Sequence, residues 1–246
     1  MTATLYETLK MCIRKQELVA VATILSGEQL GNKILVWRDG RTLGNLDDRG
    51  LQAAITQRTE EYLKALESGR TAIQYASAEI DLFIDVCTPL PRLFIIGAAH
   101  IAIPLVSLAK IMGFHTIVID ARRAFATRQR FPHADELIVD WPAKVLEEKR
   151  LDSSSYVAIV SHDDKMDNPA LKVALESPAR YIGALGSTRT HAKRVEALKE
   201  MGLIEDQITR IHAPIGVRLG AKTTEEISLA IITEIVAASH GLKLHP

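Results

Sequence analysis

The sequence predicts an α/β protein in which a C-terminal Rossmann-like parallel sheet follows a smaller N-terminal α/β domain. Short apolar runs rich in Ile and Val recur through the second half of the chain. Helical stretches separate most of them, which is typical of β-α-β units covered on both faces. The segment Thr88-Pro89-Leu90-Pro91-Arg92 carries two prolines, which disfavour strand and helix alike. We therefore expect an N-terminal domain over 1–87, a linker over 88–92 and the Rossmann-like domain over 93–246.

The N-terminal half alternates between β-rich and helical patterns. Apolar and β-branched residues dominate LVAVATIL and KILVW, and an Asp-Gly turn after the second run indicates a hairpin with RTLGNL. Apolar residues then recur at helical spacing. The expected elements are a helix over Leu5–Arg14, strands over Leu18–Leu25 and Lys33–Trp37, a hairpin turn over 38–41, a helix over Gly50–Ser68 with Gly69 as its C-cap, and a strand over Ile80–Val86.

Five apolar runs supply the main strands of the predicted parallel sheet: LFII, HTIVID, DELIVDW, YVAIVSH and ARYIGALGS. We expect the helix after the first run to begin near Ala99. Pro104 is then irregular, because a proline beyond the first turn removes a helical hydrogen bond, so this helix either begins later or kinks. A last helix over Thr223–Ser239 opens with Thr-Thr-Glu-Glu, which fits a capping box.

The composition excludes several classes of protein. The 246 residues are 47% apolar, which suffices for a sizeable core, and 30 basic against 30 acidic side chains leave no basic excess for nucleic acid. Cys12 and Cys87 lie in no metal-ligand spacing, and the N-terminus shows no apolar signal-peptide segment. Leu93–Ala109 is nearly uncharged but too short to span a bilayer. We expect a cytoplasmic protein with reduced thiols that binds neither nucleic acid nor membrane.

The turn after the first C-terminal strand is a candidate ligand site. In LFIIGAAHIA a strand runs into Gly97, as in dinucleotide-binding folds, but Ala98 and Ala99 stand where a further glycine would let a pyrophosphate approach the backbone. His100 adds a polar side chain to the turn. Asp120 follows Gly97 by about 20 residues, the spacing expected of the acid that binds ribose hydroxyls. This spacing fits a nucleotide site better than the glycine pattern does.

Polar residues also follow three later strands. Because ligands bind outside the carboxyl ends of parallel strands, these residues should face the same crevice as Gly97. His162 with Asp163 or Asp167 fits an acid/base pair or a hard-metal site, but also an ordinary turn rich in Asp and Asn. Arg122 fits either a phosphate contact or a solvated charge.

The resulting set of candidates is a binding set rather than a catalytic one. No order of nucleophile, base and acid emerges, so the catalytic residues stay unknown and no metal ligand is assigned. The candidate cofactor-binding residues are Gly97, Ala98, Ala99, His100, Asp120, Arg122, His162, Asp163, Gly186, Ser187, Arg189 and His212.

Five segments together resemble one known family: LFIIGAAHIA, VIDARRAFATRQRFPHADE, SHDDKMDNPAL, YIGALGSTRTHAKR and IHAPIGVRLGAKTTEEISLAIITEIVA. From about Pro91 to Ala238 the chain is similar to the XdhC/CoxI family, accessory factors for xanthine dehydrogenase and related molybdenum hydroxylases. The resemblance implies a Rossmann-like C-terminal domain, a smaller N-terminal α/β domain and a homodimer. It also implies that the protein binds molybdenum cofactor (molybdopterin), supports its sulfuration with a cysteine desulfurase, and delivers it to the apo-hydroxylase.

The N-terminal half departs from the family pattern. A Gly-Ser-x-Pro-Arg-type loop of the family is shortened here to Ser26–Gly31, and Gly50 stands where the family has the cysteine of a Cys-Val-Glu turn. Glycine cannot replace a thiolate as a soft metal ligand or nucleophile. Cys87 lies in a different segment and is not assumed to compensate. Any step that needs this thiol is therefore in doubt.

Three functions remain open at this point. The first is an accessory protein of the XdhC type that binds a phosphate-bearing cofactor in the C-terminal crevice and assists assembly of a molybdenum hydroxylase. The second is an NAD(P)-dependent oxidoreductase, favoured by the strand spacing and Asp120, with His162 or His212 as proton donor. The third is a divergent ligand-sensing or partner-binding subunit that has lost sulfur chemistry, favoured by the missing cysteine.

Overall fold

The chain divides into two compact units, Met1–Pro89 and Leu90–Pro246. A computed structural model describes residues 3–44 and 46–242. The first unit carries a five-stranded sheet and the second a six-stranded sheet. The predicted α/β class, with a parallel C-terminal sheet of Rossmann type, is confirmed.

The first unit is an antiparallel sheet with one helix on each face. The strands follow the order β3-β2-β1-β5-β4. Alternate residues of β1 point to opposite faces, so that Val19 and Val21 pack with Leu5 of α1 while Ala20 and Ala22 pack with Ile55 of α2. The elements are α1 (Ala3–Arg14), β1 (Val19–Ile24), β2 (Lys33–Trp37), β3 (Thr42–Leu43), α2 (Arg49–Ala65), β4 (Gly69–Tyr75) and β5 (Ala78–Cys87).

Two details of this unit differ from expectation. Helix α2 ends at Leu66, which adopts the left-handed conformation with φ 58° and donates its N–H to the Tyr62 carbonyl. Gly69, predicted as the C-cap, is instead the first residue of β4, a strand the sequence did not predict. Every second residue of β4 is half-buried and none is fully buried. Because only Ile73 and Tyr75 among them are large apolar residues, the alternation is too short to be recognised in the sequence.

The second unit has the strand order β11-β10-β9-β6-β7-β8, with every neighbouring pair parallel. Counted from β6, this is the 3-2-1-4-5-6 order of a dinucleotide-binding sheet. The elements are β6 (Arg92–Ile96), α3 (Ala102–Ile111), β7 (His115–Ile119), β8 (Glu136–Ile138), α4 (Pro142–Lys149), β9 (Ser155–Ile159), α5 (Asp164–Leu175), β10 (Tyr181–Ala184), α6 (Thr188–Glu200), α7 (Glu205–Ile208), β11 (Ile211–His212) and α8 (Thr224–Ser239).

Helices cover both faces of the parallel sheet. Leu93 and Ile95 of β6 pack on one face with residues of α3 and α8, whereas Phe94 and Ile96 pack on the other with α4, α5 and α6. Because both faces are buried, the strands read as continuous apolar runs rather than alternating ones. This explains why the sequence revealed the sheet so clearly.

Helix α3 begins at Ala102 rather than near Ala99. The preceding residues form a turn, in which the N–H of Ala102 donates to the Ala99 carbonyl and the N–H of Ile103 to the His100 carbonyl. Pro104 is therefore the third helical residue, inside the first turn, where its missing N–H costs no helical hydrogen bond. The helix begins late and needs no kink.

The nearly uncharged stretch Leu93–Ala109 forms β6, this turn and most of α3, which has only ten residues. A helix needs about 20 apolar residues to cross the hydrocarbon core. None of the helices in residues 3–44 and 46–242 is long and apolar enough to do so.

Arg210 connects the end of α5 to the sheet, and its replacement tests that connection. Its guanidinium donates to the carbonyls of Leu175, Ser177 and Ala179 at 2.7 to 3.0 Å. We expect Arg210→Met to lower the free energy of unfolding by about 2–4 kcal/mol, because three half-buried acceptors lose a charged donor. Arg210→Lys keeps the charge but loses the planar guanidinium, so its free energy of unfolding should lie between those of wild type and Arg210→Met. Urea unfolding measures both variants, and a lysine variant as stable as wild type would contradict the geometry.

Candidate functional site at the carboxyl ends of the parallel strands

The candidate site lies where the strand order reverses, at the carboxyl ends of the neighbouring strands β6 and β9. In open α/β sheets the connections leave such a pair of strands in opposite directions and open a crevice between them. Gly97 comes directly after the last residue of β6, and Ser161 is the second residue after the end of β9. The candidates that the sequence analysis assigned to the turn at Gly97, and those that it assigned to the segment around His162, lie at these two strand ends.

Gly97 is required there by backbone packing. Its φ is +101°, and a Cβ atom at this position would lie 2.5 Å from Ser161 Cβ and 2.8 Å from Ser161 N. Real Cβ atoms do not approach backbone so closely, and L-residues rarely adopt this φ. Gly97 therefore sets how closely the two strand ends approach, which is a structural role at the head of the candidate site.

Three backbone donors follow this glycine without an acceptor. The N–H of Ala98 donates to Asp120, but those of Ala99, His100 and Ile101 donate to nothing within residues 3–44 and 46–242. Ala99 is half-buried and His100 is exposed. Consecutive free N–H groups just before a helix attract anions, because they point donors and the positive end of the helix dipole at the ligand.

Asp120 holds this turn in place. The carboxylate is fully buried, and each of its oxygens accepts two hydrogen bonds. Oδ1 accepts from the N–H and Nε of Arg122, and Oδ2 accepts from the N–H of Ala98 and Nη2 of Arg122, at 2.8 to 2.9 Å. Burial alone raises the pKa of Asp120, but these hydrogen bonds and the charge of Arg122 lower it below its usual value.

This geometry bears on the ribose-binding role predicted for Asp120. A carboxylate that already accepts four hydrogen bonds in a buried position has little capacity left for ligand hydroxyls. Arg122 keeps about two fifths of its side chain exposed and lies over the Phe125 ring, 4.4 Å from its centroid. The ribose role stays a prediction, and the contacts present are those between Asp120, Ala98 and Arg122.

The segment after β9 contains a buried polar pair. Ser161 Oγ hydrogen bonds to Asp167 Oδ1, and both residues are buried. Burial raises the pKa of Asp167 to about 6, although the hydrogen bond from Ser161 and the charge of Arg194 lower it. Asp163 caps α5 by accepting from the N–H of Lys165 at 3.1 Å, and His162 is exposed. Among residues 3–44 and 46–242, no three His, Cys, Asp or Glu side chains group as metal ligands would.

The segment after β10 caps the next helix. Ser187 is the N-cap of α6 and accepts from the N–H of Thr190 at 3.1 Å, while Gly186 packs against the Thr190 side chain. Arg189 is exposed in the first turn of α6 and lines a small cavity against α5. These candidates lie on neighbouring strand ends, as predicted, but the contacts of Gly186 and Ser187 are those of an ordinary helix start.

His212 belongs to a separate polar cluster with α8. Glu234 is buried, with 2% of its surface exposed. It accepts from the Tyr181 hydroxyl at 2.6 Å and the Gly216 N–H at 2.7 Å, and its Oε1 lies 3.1 Å from His212 Nδ1. Burial would raise the pKa of Glu234, but these donors outweigh it and hold the pKa at about 2. A carboxylate facing Nδ1 fixes that nitrogen as the protonated one.

Sequence reasoning missed two charged residues that the structure buries, Glu234 and Arg194. Glu234 stands alone in the apolar run ISLAIITEIVAA, and an isolated acid on an apolar helix face signals a buried partner. Arg194 gave no such signal, because α6 is rich in charges on all sides and its buried face holds only Arg194 and Leu198.

The role of Gly97 can be tested against a glycine that differs only in its surroundings. Gly113 also has a positive φ, of +82°, but a Cβ there would meet nothing within 4 Å. We expect Gly113→Ala to cost about 1 kcal/mol, from backbone strain alone. Gly97→Ala should cost about 3 kcal/mol or more, because strand ends must also move apart. If urea unfolding shows the same loss of free energy of unfolding in both variants, the close approach to Ser161 does not contribute to the cost at Gly97.

Glu234 should make the stability depend on acid pH. Its pKa in the folded protein lies below the value of 4.5 for a free side chain, so its stabilisation is complete above about pH 4.5 and is lost as the pH falls towards 2. We expect wild type to lose roughly 2–3 kcal/mol more than Glu234→Gln over this window. Unfolding by urea at several pH values measures the difference. Glu148→Gln, which changes an exposed glutamate of α4, controls for the loss of one carboxylate, and parallel curves for all three proteins would contradict the assignment.

Three curated relatives are similar to this chain over more than half of its residues. The uncharacterised protein YqeB of Escherichia coli K12 is 28% identical over 87% of this chain and 42% of its own length. A relative from Bacillus subtilis 168, named as a probable subunit of xanthine dehydrogenase, is 29% identical over 94% of this chain and 64% of its own. The molybdenum cofactor insertion chaperone PaoD of Escherichia coli K12 is 29% identical over 61% of this chain and 40% of its own. The chain thus spans less than two thirds of each of these relatives.

A solved structure supports the fold. The crystal structure of a xanthine dehydrogenase from Bacillus halodurans superposes with a TM-score of 0.56, at 21% identity, and the match covers 96% of both chains. At the level of sequence families, residues 93–235 match the XdhC Rossmann domain. This match runs from β6 into α8 and covers more than half of the 246 residues. The resemblance drawn from the motifs is confirmed, and the chain belongs to the XdhC family.

Proposed function

We propose that this chain is an accessory protein in the maturation of a molybdenum hydroxylase of the xanthine dehydrogenase type. It binds molybdenum cofactor, or a related phosphate-bearing cofactor, at the carboxyl ends of β6 and β9 and delivers it to the apo-enzyme. The observation that carries the proposal is the row of three free backbone donors after Gly97. The names of two relatives, a cofactor insertion chaperone and a probable component of xanthine dehydrogenase, support a role in maturation of such an enzyme.

The donors at this turn fit the phosphate end of such a cofactor. The N–H groups of Ala99, His100 and Ile101 offer an oxyanion the donors that phosphates meet at helix N-termini. Arg122 adds a cation beside them, and its guanidinium is already oriented by Asp120. When bound, the cofactor supplies the metal and pterin chemistry of the client enzyme. This chain's residues hold its phosphate.

The other candidate residues line the rest of the crevice in this proposal. His162 and Asp163 follow β9, Ser187 and Arg189 follow β10, and His212 lies at the end of β11. Asp120 acts by orienting Arg122 and the Ala98 N–H, since each of its oxygens is already occupied by two donors. Its contribution to the cofactor is therefore one of positioning.

The first unit fits a protein that delivers the cofactor without using a reactive thiol of its own. Gly50 occupies the position of the family's cysteine, and a Cβ there would overlap the Tyr75 hydroxyl, which donates to Asp48 at 2.8 Å. Burial raises the pKa of both Cys12 and Cys87, which keeps them as unreactive thiols. We propose that any sulfuration is performed by a partner cysteine desulfurase, with the apo-hydroxylase as client and a homodimer of this chain as carrier.

An NAD(P)-dependent oxidoreductase is the second candidate. The 3-2-1-4-5-6 strand order and the acid after β7 favour it. The hydrogen bonding of Asp120 weighs against it, because a ribose diol needs a carboxylate with free acceptor capacity. A ligand-sensing protein without delivery is the remaining alternative, and it is separated from the proposal by the ability to restore hydroxylase activity.

The first test identifies the small molecule that the purified protein carries. Protein prepared without oxygen is acid-treated, the released compounds are identified by mass spectrometry, and molybdenum is measured in parallel. We expect a molybdopterin compound near one per chain, either as purified or after incubation with molybdenum cofactor released from a donor enzyme. Release of NAD(P) would support the oxidoreductase. Release of nothing after loading would leave the ligand-sensing alternative and contradict the proposal.

The second test places a charge in the turn. Ala99→Asp puts a carboxylate beside the free donors and should lower the amount of bound molybdopterin at least tenfold, or about 1.4 kcal/mol. Ala99→Asn has nearly the same shape without the charge and should bind much as wild type does. Both variants are measured by the same release assay, with thermal unfolding as a check on folding. Equal loss in the two variants would mean that the turn tolerates no larger side chain and that charge is not what matters.

A further inference from the structure

A second cluster of cations surrounds a cavity between α5 and α6, apart from the turn after β6. The cavity has a volume of about 240 Å³. This is below the range of about 300–1,000 Å³ that encloses whole cofactors and drug-sized ligands. It suits a small ion or one terminal group of a larger molecule. Its lining residues are Asp164 and Asn168 of α5 and Arg189, Thr190, Lys193, Arg194 and Ala197 of α6.

Arg194 is the residue that distinguishes this cavity from an ordinary surface cleft. Only 3% of its surface is exposed, yet its Nε and Nη1 atoms have no hydrogen-bond partner in the described residues. Its Nη2 donates to the Leu185 carbonyl at 3.1 Å and lies 4.0 Å from Asp167 Oδ2. A buried guanidinium normally has its donors paired. Asp167 Oδ2 is likewise buried without a hydrogen-bond partner in the described residues. The ion pair of Arg194 and Asp167 is therefore a long one, which leaves the positive charge of the guanidinium only partly compensated beside the cavity.

The charges around the cavity indicate what that acceptor is. Arg189 and Lys193 lie one turn apart on α6, both exposed, and neither forms an ion pair within residues 3–44 and 46–242. With Arg194 they place three cations at the space, against two carboxylates, Asp164 on its lining and Asp167 beside Arg194. Asp167 lies behind Arg194 and is shared with Ser161. The balance favours an anion whose several oxygens accept from a planar guanidinium and from two flexible cations.

We propose that the cavity between α5 and α6 is an oxyanion site that takes a phosphate group. Arg194 attracts it from the buried side through its positive charge, while Arg189, Lys193 and the Thr190 hydroxyl close around it from the exposed side. The Asn168 side chain completes the wall. The proposal stands on these residues and does not require that the turn after β6 binds a cofactor, although Arg189 is also one of the candidates assigned to the rest of that crevice.

The site serves either of two sources of the same group. Inorganic phosphate would bind as a free ion, and a phosphate monoester would bind with the rest of its molecule outside the cavity. Binding of either adds negative charge beside three cations that two carboxylates do not balance. We therefore expect the occupied protein to unfold at a higher temperature, by linkage between binding and folding.

The test is titration of the purified chain with inorganic phosphate and, separately, with glycerol 3-phosphate. Calorimetry and thermal unfolding are followed in a phosphate-free buffer at constant ionic strength set with chloride. We expect saturable binding and a rise in the midpoint of unfolding that chloride alone does not give. If glycerol 3-phosphate binds at least tenfold more tightly than phosphate, the natural ligand is a monoester. The reverse order would identify the free ion.

Variants assign the binding to this cavity. Arg189→Gln with Lys193→Gln removes two exposed cations and should weaken phosphate at least about tenfold. Arg194→Gln removes the buried positive charge and should also weaken phosphate binding, with urea unfolding as a check that the variant folds. The matched control, Arg14→Gln with Lys15→Gln, removes one arginine and one lysine exposed in the first unit and should bind as wild type does.

Three outcomes would overturn the proposal. One is the absence of saturable binding for both probes. A second is binding that survives in the Arg189→Gln, Lys193→Gln variant, which would place the anion elsewhere. The third is equal weakening in the control. Ala99→Asp should leave binding in this cavity unchanged, so failure here is distinguishable from failure of the cofactor site after β6.

Discussion

The buried carboxylate of Asp120 is the constraint on which the candidate site depends. A buried charge without partners costs several kcal/mol, so the fold must bring donors to it. It does so with the side chain and backbone of Arg122 and with the N–H of Ala98. The bond to Ala98 draws the end of β6 towards the end of β7 and fixes the turn that follows. Because that turn is fixed, the next three N–H groups face no acceptor within the described residues of the chain.

A continuous set of polar and packed contacts joins the two proposed anion sites of the parallel unit. Gly97 packs against Ser161, Ser161 hydrogen bonds to Asp167, and Asp167 faces Arg194 at 4.0 Å. These contacts are buried in the folded protein and hold the ends of β6 and β9 at a fixed separation. Burial also raises the pKa of Asp167 to about 6, so the charge in the middle of this set changes near neutral pH.

The sequence predicted most of the sheet and part of the site, and the differences have physical causes. Parallel strands buried on both faces leave unmistakable apolar runs, whereas β4, with no buried residue, left none. The start of α3 was misjudged, because a Gly-Ala-Ala stretch fits a helix as well as a turn, and only Pro104 indicated the later start. The spacing of Asp120 was read from the sequence, but its burial and its four donors depend on the tertiary fold. The same holds for Arg194, whose burial in a helix rich in charges no local pattern reveals.

The pair formed by Tyr75 and Asp48 fills the space beside Gly50 and leaves no room for a cysteine there. Asp48 caps α2 by accepting from the N–H groups of Gly50 and Leu51, and the Tyr75 hydroxyl donates to the same oxygen. A cysteine introduced alone would meet that hydroxyl, and a phenylalanine at position 75 introduced alone would lose the bond that orients the cap. Each single substitution is therefore harmful before the other is in place. Such mutual dependence acts as an evolutionary ratchet: because the tyrosine fills the space beside the glycine, any side chain at position 50 is reached only through a less stable intermediate.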